Sequence, residues 1–219
     1  MHLRNYIILT VTLFYVTGCS QQNKEYTAEE IAAESEKANQ FFDKSFDEAV
    51  DRSPMEQSYL GIKKDYGKWD DISDENAKKE LEITKKELQY LLDSINPEML
   101  DRQTKISYEL FKQDAENDIA DFKYRFHNYP VNQMFGLHSQ IPAFLINIHQ
   151  VTNKEDAMAY ISRLNGVDKL MDQLIVGLET REELGIMPPK FVYPMVIDDS
   201  KNILGGAPFD DGEPSTLLA

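Results

Sequence analysis

"SDENAKKELEITKKELQYLLDSI", residues 73–95, decides the fold. Ala77, Leu81, Thr84, Leu88, Leu91 and Ile95 advance by four, three, four, three and four, so at helical pitch they draw one apolar seam down a mostly charged cylinder. The seam is too short for a coiled coil and suits packing inside a bundle. Upstream, Thr27 with Glu30 forms a capping box, and Ile31, Phe41, Phe42, Phe46 and Val50 mark a helix that ends before Pro54. Downstream, "NPEML" (96–100) breaks the chain, and a third helix is predicted from Asp101 to Phe126, with Ile106, Leu110, Ile119, Phe122 and Phe126 as its buried stripe.

Thr152 with Glu155 reads as another capping box, opening a helix that "LNG" (164–166) stops, and Val167–Leu184 reads as its antiparallel partner. Gly185 follows as a left-handed cap, and Pro188 with Pro189 presets the next turn or helix start. Only "KFVYPMVI" (190–197) has strand-like enrichment, and Pro194 interrupts it. The fold class is therefore all-α, an antiparallel helical bundle or array.

Composition narrows the function. A 219-residue chain with 42% hydrophobic and 11% aromatic residues buries a real core. Acidic residues number 38 against 23 basic, for a net charge of −15, which is a poor match to a phosphate backbone, so nucleic acid is not an expected partner.

The N-terminus reads as an address. In "MHLRNYIILTVTLFYVTGC", Arg4 precedes an apolar run from Tyr6 to Val16 that has the form of a secretory signal and is too short for a comfortable membrane span. The chain's one cysteine, Cys19, follows "VTG", a pattern that resembles the bacterial lipobox. This divides the chain into a signal peptide (1–18), a lipidated Cys19 with a polar tether (19–26) and a helical domain (27–219). Two or three acyl chains on Cys19 would make the membrane a partner, since one chain alone binds marginally. Ser20 follows the cysteine rather than Asp, which favours the outer membrane, facing the periplasm.

The histidines do not make a metal centre by spacing. On one helix His138 and His149 would share a face, since eleven steps of about 100° return to within about 20° of the start, but they would lie roughly 16 Å apart. Zinc ligands each lie about 2 Å from the ion. Pro142 falls between them, His127 lies farther upstream, and H-E-x-x-H is absent. The glycine pair in "LGGAPFDDGEP" lacks the Lys-Ser/Thr of a phosphate loop, Asp198-Asp199 and Asp210-Asp211 lack the alternation of a calcium loop, and there is no G-x-S-x-G. No catalytic and no metal-binding residue is assigned, and no cofactor is expected in this chain. The closing "EPSTLLA" opens an apolar helical run that stops at Ala219, which predicts a C-terminally truncated domain.

"YPVNQMFGLHSQIPAFL" (129–145) and "EDAMAYISRLNGVDKLMDQLIVGLETREELGIMPPKFVYPMVI" (155–197), with the earlier "SPMEQSYLGIKKDYGKWDD" (53–71) and the lipobox, resemble the first half of bacterial lipoproteins of the domain of unknown function 885 family. The resemblance implies a larger, mostly helical, peptidase-like zinc hydrolase whose H-E-x-x-H helix lies in a second half, a part this chain lacks. It therefore implies zinc for the whole protein, a peptide substrate, and the missing half as partner, with this chain inactive alone and forming one wall of a substrate groove. "PVNQMFG" (130–136) is the piece expected nearest that groove, with Asn132 and His138 as polar contacts. The competing reading is a complete lipid-anchored helical module that binds a peptide or protein.

Overall fold

Thr27 begins the folded chain as its spacing predicts: its hydroxyl accepts from the Glu30 amide at 3.2 Å, and the Glu30 carboxylate accepts from the Thr27 amide at 2.8 Å. The computed structural model describes residues 25–203, 205–208 and 210–213; Cys19, with the signal, most of the tether and the closing "PSTLLA", lies outside them. The described residues form α1 (Ala28–Arg52), α2 (Pro54–Tyr59), α3 (Asp74–Ser94), α4 (Arg102–Asp121), α5 (Leu137–Asn147), α6 (Lys154–Glu183) and α7 (Val192–Ile203), with no sheet among them. The all-α expectation is met. None of these helices is long and apolar enough to cross a membrane.

Two apolar clusters organise the helices. In the first, Ala38 of α1, Leu91 and Ile95 at the end of the α3 seam, Leu100 and Tyr108 are buried together, with Phe41, Phe42 and Phe111 packed against them. The Phe41 and Phe111 rings meet edge-on at 5.2 Å. Small side chains on α1 permit this approach: Ser35 is buried and its hydroxyl accepts from the Asp101 amide at 2.9 Å. Phe46, expected inside, is exposed. The stripe expected on α4 also differs. Thr104, Tyr108 and Ala115 face inward, while Ile106 and Leu110 are exposed. Asp101 caps α4 by accepting from the Thr104 amide and hydroxyl, and this docking onto Ser35 fixes which of two equally periodic faces turns inward.

The second cluster holds Ile141 and Leu145 of α5 and Leu170 of α6, with Trp69, Tyr160, Val167 and Met171 against it. Two expectations fail here. The α6 helix begins one residue later than Thr152 predicts, because Asn153 accepts from the Asp156 amide at 2.8 Å and is the cap; Thr152 donates its hydroxyl to the Asp156 carboxylate instead. It then runs 30 residues straight through Leu164-Asn165-Gly166, so there is no helix pair there. Gly166 is in contact with Trp69, where a Cβ would lie 3.2 Å from the indole Cδ1. This glycine makes room for a ring and does not end the helix. From Val192 onward the strand-like "KFVYPMVI" is likewise helical, with Pro194 in the first turn of α7, where its missing N–H breaks no helical hydrogen bond.

Candidate functional site

The α6 helix ends as Gly185 predicts. Its φ of +72° allows the Ile186 amide to donate back to the Arg181 carbonyl at 2.8 Å, and the chain reverses through Pro188 and Pro189. The Val192 amide donates to the Pro189 carbonyl, starting α7, which packs against α5. Between the last turns of α6, the outer face of α7 and Tyr129–Val131 lies an open groove of about 340 Å³. Its walls are overwhelmingly apolar: Ile175 and Leu178 from α6, Val192, Tyr193, Val196 and Ile197 from α7, and Ile186 and Met187 from the turn. The charged groups on it are Glu179, Arg181 and Glu182.

The "PVNQMFG" segment does border this groove, through Pro130 and Val131, but not through the residues singled out in it. Asn132 holds a tight loop. Its side-chain oxygen accepts from the Met134 and Phe135 amides at 2.8 and 2.9 Å, its amide nitrogen donates to the Tyr129 carbonyl, and Val131 bridges to Gly136. The loop presents Met134 and Phe135 outward, 70% and 61% exposed. Gly136, at φ +152°, leads into α5 with no room for a side chain: a Cβ there would meet His138 Nδ1 at 2.7 Å and the Pro130 carbonyl at 2.9 Å. His138 is buried beneath it, its Nδ1 without a hydrogen-bond partner among the described residues and its Nε2 3.9 Å from an Asp199 carboxylate oxygen of α7. Neither Asn132 nor His138 is on the wall of this groove.

His149 lies beyond the end of α5 and has entirely different partners. It is stacked on Tyr66 at 4.0 Å and bonded on both nitrogens, Nε2 to the Asp156 carbonyl (3.1 Å) and Nδ1 to Arg163 Nη1 (2.9 Å). A guanidinium can only donate, so Nδ1 accepts and the proton sits on Nε2. Burial, with help from the neighbouring Arg163 charge, holds this imidazole below its ordinary pKa.

Sequence reasoning missed Arg163 itself, a fully buried cation of α6. It donates to the Lys68 carbonyl (3.0 Å), the Pro54 carbonyl (3.2 Å) and the Ser58 hydroxyl (2.7 Å), and lies 4.6 Å from the Phe144 ring centre. Burial lowers its pKa to about 10, which leaves it charged at neutral pH. Beside it, Lys63 and the Thr152 hydroxyl and amide hold the buried Asp156 carboxylate far below the usual carboxylate range.

Could this donor set hold zinc? His149 has both nitrogens engaged, the Nδ1 of His138 faces the backbone of Gly136, and among the described residues no three histidine, cysteine or acidic side chains converge. These residues do not fit the ion, and no chemical step is assigned to them.

The profile of the family described as "Bacterial protein of unknown function (DUF885)" matches residues 54–218, three-quarters of the chain. The chain belongs to that family. Comparisons with curated proteins and with solved structures return no match. Within the DUF885 match lie α2 to α7, Arg163 and every residue of the groove, while α1 precedes it. The signal that would have found the groove was present in "VYPMVI" (192–197): Val192 and Val196 recur at helical spacing, as do Tyr193 and Ile197, but the β-branched composition hid it.

Proposed function

We propose that this DUF885 chain is the N-terminal helical part of a bacterial envelope protein, exported by residues 1–18 and held at a membrane through acylated Cys19. In this reading its α6–α7 groove forms one wall of the substrate cleft of a peptidase-like zinc hydrolase. The metal ligands and the catalytic base belong to sequence outside this chain. The observation that carries the reading is the groove itself: a concave apolar surface of about 340 Å³, rimmed by charge and unfilled by any described side chain, suits a peptide's side chains better than it suits solvent.

Two experiments test it. Cys19→Ala should move the protein from the membrane to the soluble fraction; unchanged fractionation overturns the anchor. Reading the gene past the codon for Ala219 should reveal an in-frame H-E-x-x-H. A stop codon there overturns the hydrolase reading and leaves a self-contained binding module using the same groove.

A further inference from the structure

The groove is uneven in its charge. Glu179 and Glu182 lie one helical turn apart on the groove side of α6, and Glu183 ends the helix. Like charges at this spacing repel, and all three carboxylates crowd the carbonyl end of α6, the negative pole of its dipole. The one base on the groove wall among the described residues is Arg181, and its guanidinium is occupied elsewhere. It donates to the carbonyls of Gly177 (2.8 Å), Asn128 (3.1 Å) and Arg125 (3.4 Å) and to the Asn128 side chain. Among the described residues, neither the Glu179 nor the Glu182 carboxylate has an ion-pair or hydrogen-bond partner. An apolar trough therefore ends at a pole where two carboxylates outnumber one cation whose donors are already engaged.

We infer that the groove recognises an extended peptide segment in which a large apolar side chain stands two positions from a lysine or arginine, so that both point to one face. The apolar side chain fills the trough between α6 and α7, and the cation meets Glu179 and Glu182. The walls are two helices, a turn and the Tyr129–Val131 segment, with no strand of a sheet among them, so recognition falls to side chains and not to backbone pairing. The cavity, near the small end of ligand pockets at about 300–1,000 Å³, fits about one or two such side chains. The inference rests on the reading of the groove as a peptide site and specifies the class of peptide.

The test uses the full chain in phosphatidylcholine nanodiscs, with empty nanodiscs as blank, and fluorescence anisotropy of three labelled, end-blocked peptides: Ala-Leu-Phe-Lys-Ala and its counterparts with Gln or Glu in place of Lys. An exposed pair changes affinity by about two- to five-fold, so two carboxylates should favour Lys over Gln by about five- to twenty-fold. The preference should vanish in about 0.5 M salt, where screening is short-ranged. It should also vanish in Glu179→Gln/Glu182→Gln, whose exposed sites keep the fold and whose melt, relieved of repulsion, should lie at or slightly above that of the wild type, while Val196→Arg should abolish binding of all three. Equal binding of the three peptides overturns the charge preference and leaves the groove a peptide site. Binding of none overturns both this inference and the cleft-wall reading.

Discussion

A histidine bonded to a guanidinium has no use for a second proton. His149 accepts from Arg163 through Nδ1, so protonation would set an N–H against an N–H in a buried place. Its pKa lies below the ordinary histidine value in the folded protein, where the unfolded chain titrates near 6.5, so the unfolded state binds more protons as pH falls. The contribution to stability is complete above about pH 6.5 and is lost as pH drops toward the folded value. Asp156, depressed far below its ordinary range, acts in the same sense farther down: its contribution is present above about pH 4 and is lost in stronger acid. The melting temperature should therefore fall between about pH 7 and pH 5. In His149→Gln it should start lower but stay flat across that interval. A variant that keeps the wild-type slope would show that another group sets it.

The elements show which parts of the fold local sequence can specify. The α3 seam was legible because one face of one helix is apolar and its cap lies beside it: Ser73 accepts from the Asn76 amide, and Leu91 and Ile95 end up in the core. The face of α4 was not legible, since Ile106/Leu110 and Thr104/Tyr108 have the same spacing and the choice depends on Ser35, 66 residues from Asp101 in sequence. The length of α6 was misread for a similar reason. A glycine in mid-sequence says helix stop by propensity and close packing by context, and the context is a ring 97 positions away. The groove depends on contacts of the same kind, bringing Val131 to α7. The two readings of Gly166 separate experimentally. Were it a tolerated flaw, Gly166→Ala should gain about 1 kcal/mol of stability. Because the indole of Trp69 is pinned by donation to the Arg163 carbonyl at 2.8 Å and leaves little space, Gly166→Ala should gain nothing and Gly166→Val should lose about 1–3 kcal/mol in urea unfolding.

Across the described molecule, the two apolar clusters share no buried side chain and are joined chiefly through residues 54–72, with Arg181 of α6 adding bonds to the Arg125 and Asn128 carbonyls beyond α4. At one end this segment is tied to α1: Gln57 donates to the Val50 and Asp51 carbonyls, and its oxygen accepts from the Asp65 amide. At the other it is tied to the second cluster by the Lys63–Asp156 pair, by Tyr66, whose hydroxyl accepts from the Gln150 amide, and by Arg163. Among the described side chains of α6, Arg163 alone hydrogen-bonds both to α2, at Pro54 and Ser58, and to the loop, at Lys68. Arg163→Met fills much of the volume but strands the Lys68 carbonyl and the Nδ1 of His149, each a cost of about 1–3 kcal/mol that will not simply add, and leaves the Ser58 hydroxyl its bond to the Pro54 carbonyl at 3.0 Å. A loss of about 3 kcal/mol or more is expected, and its form is more telling than its size. With the fastening gone, α1, α3 and α4 keep a core that does not involve α6, so calorimetry should resolve two transitions where the wild type shows one. If the variant instead melts in a single step, with calorimetric and van't Hoff enthalpies equal, the clusters are coupled by something other than this guanidinium.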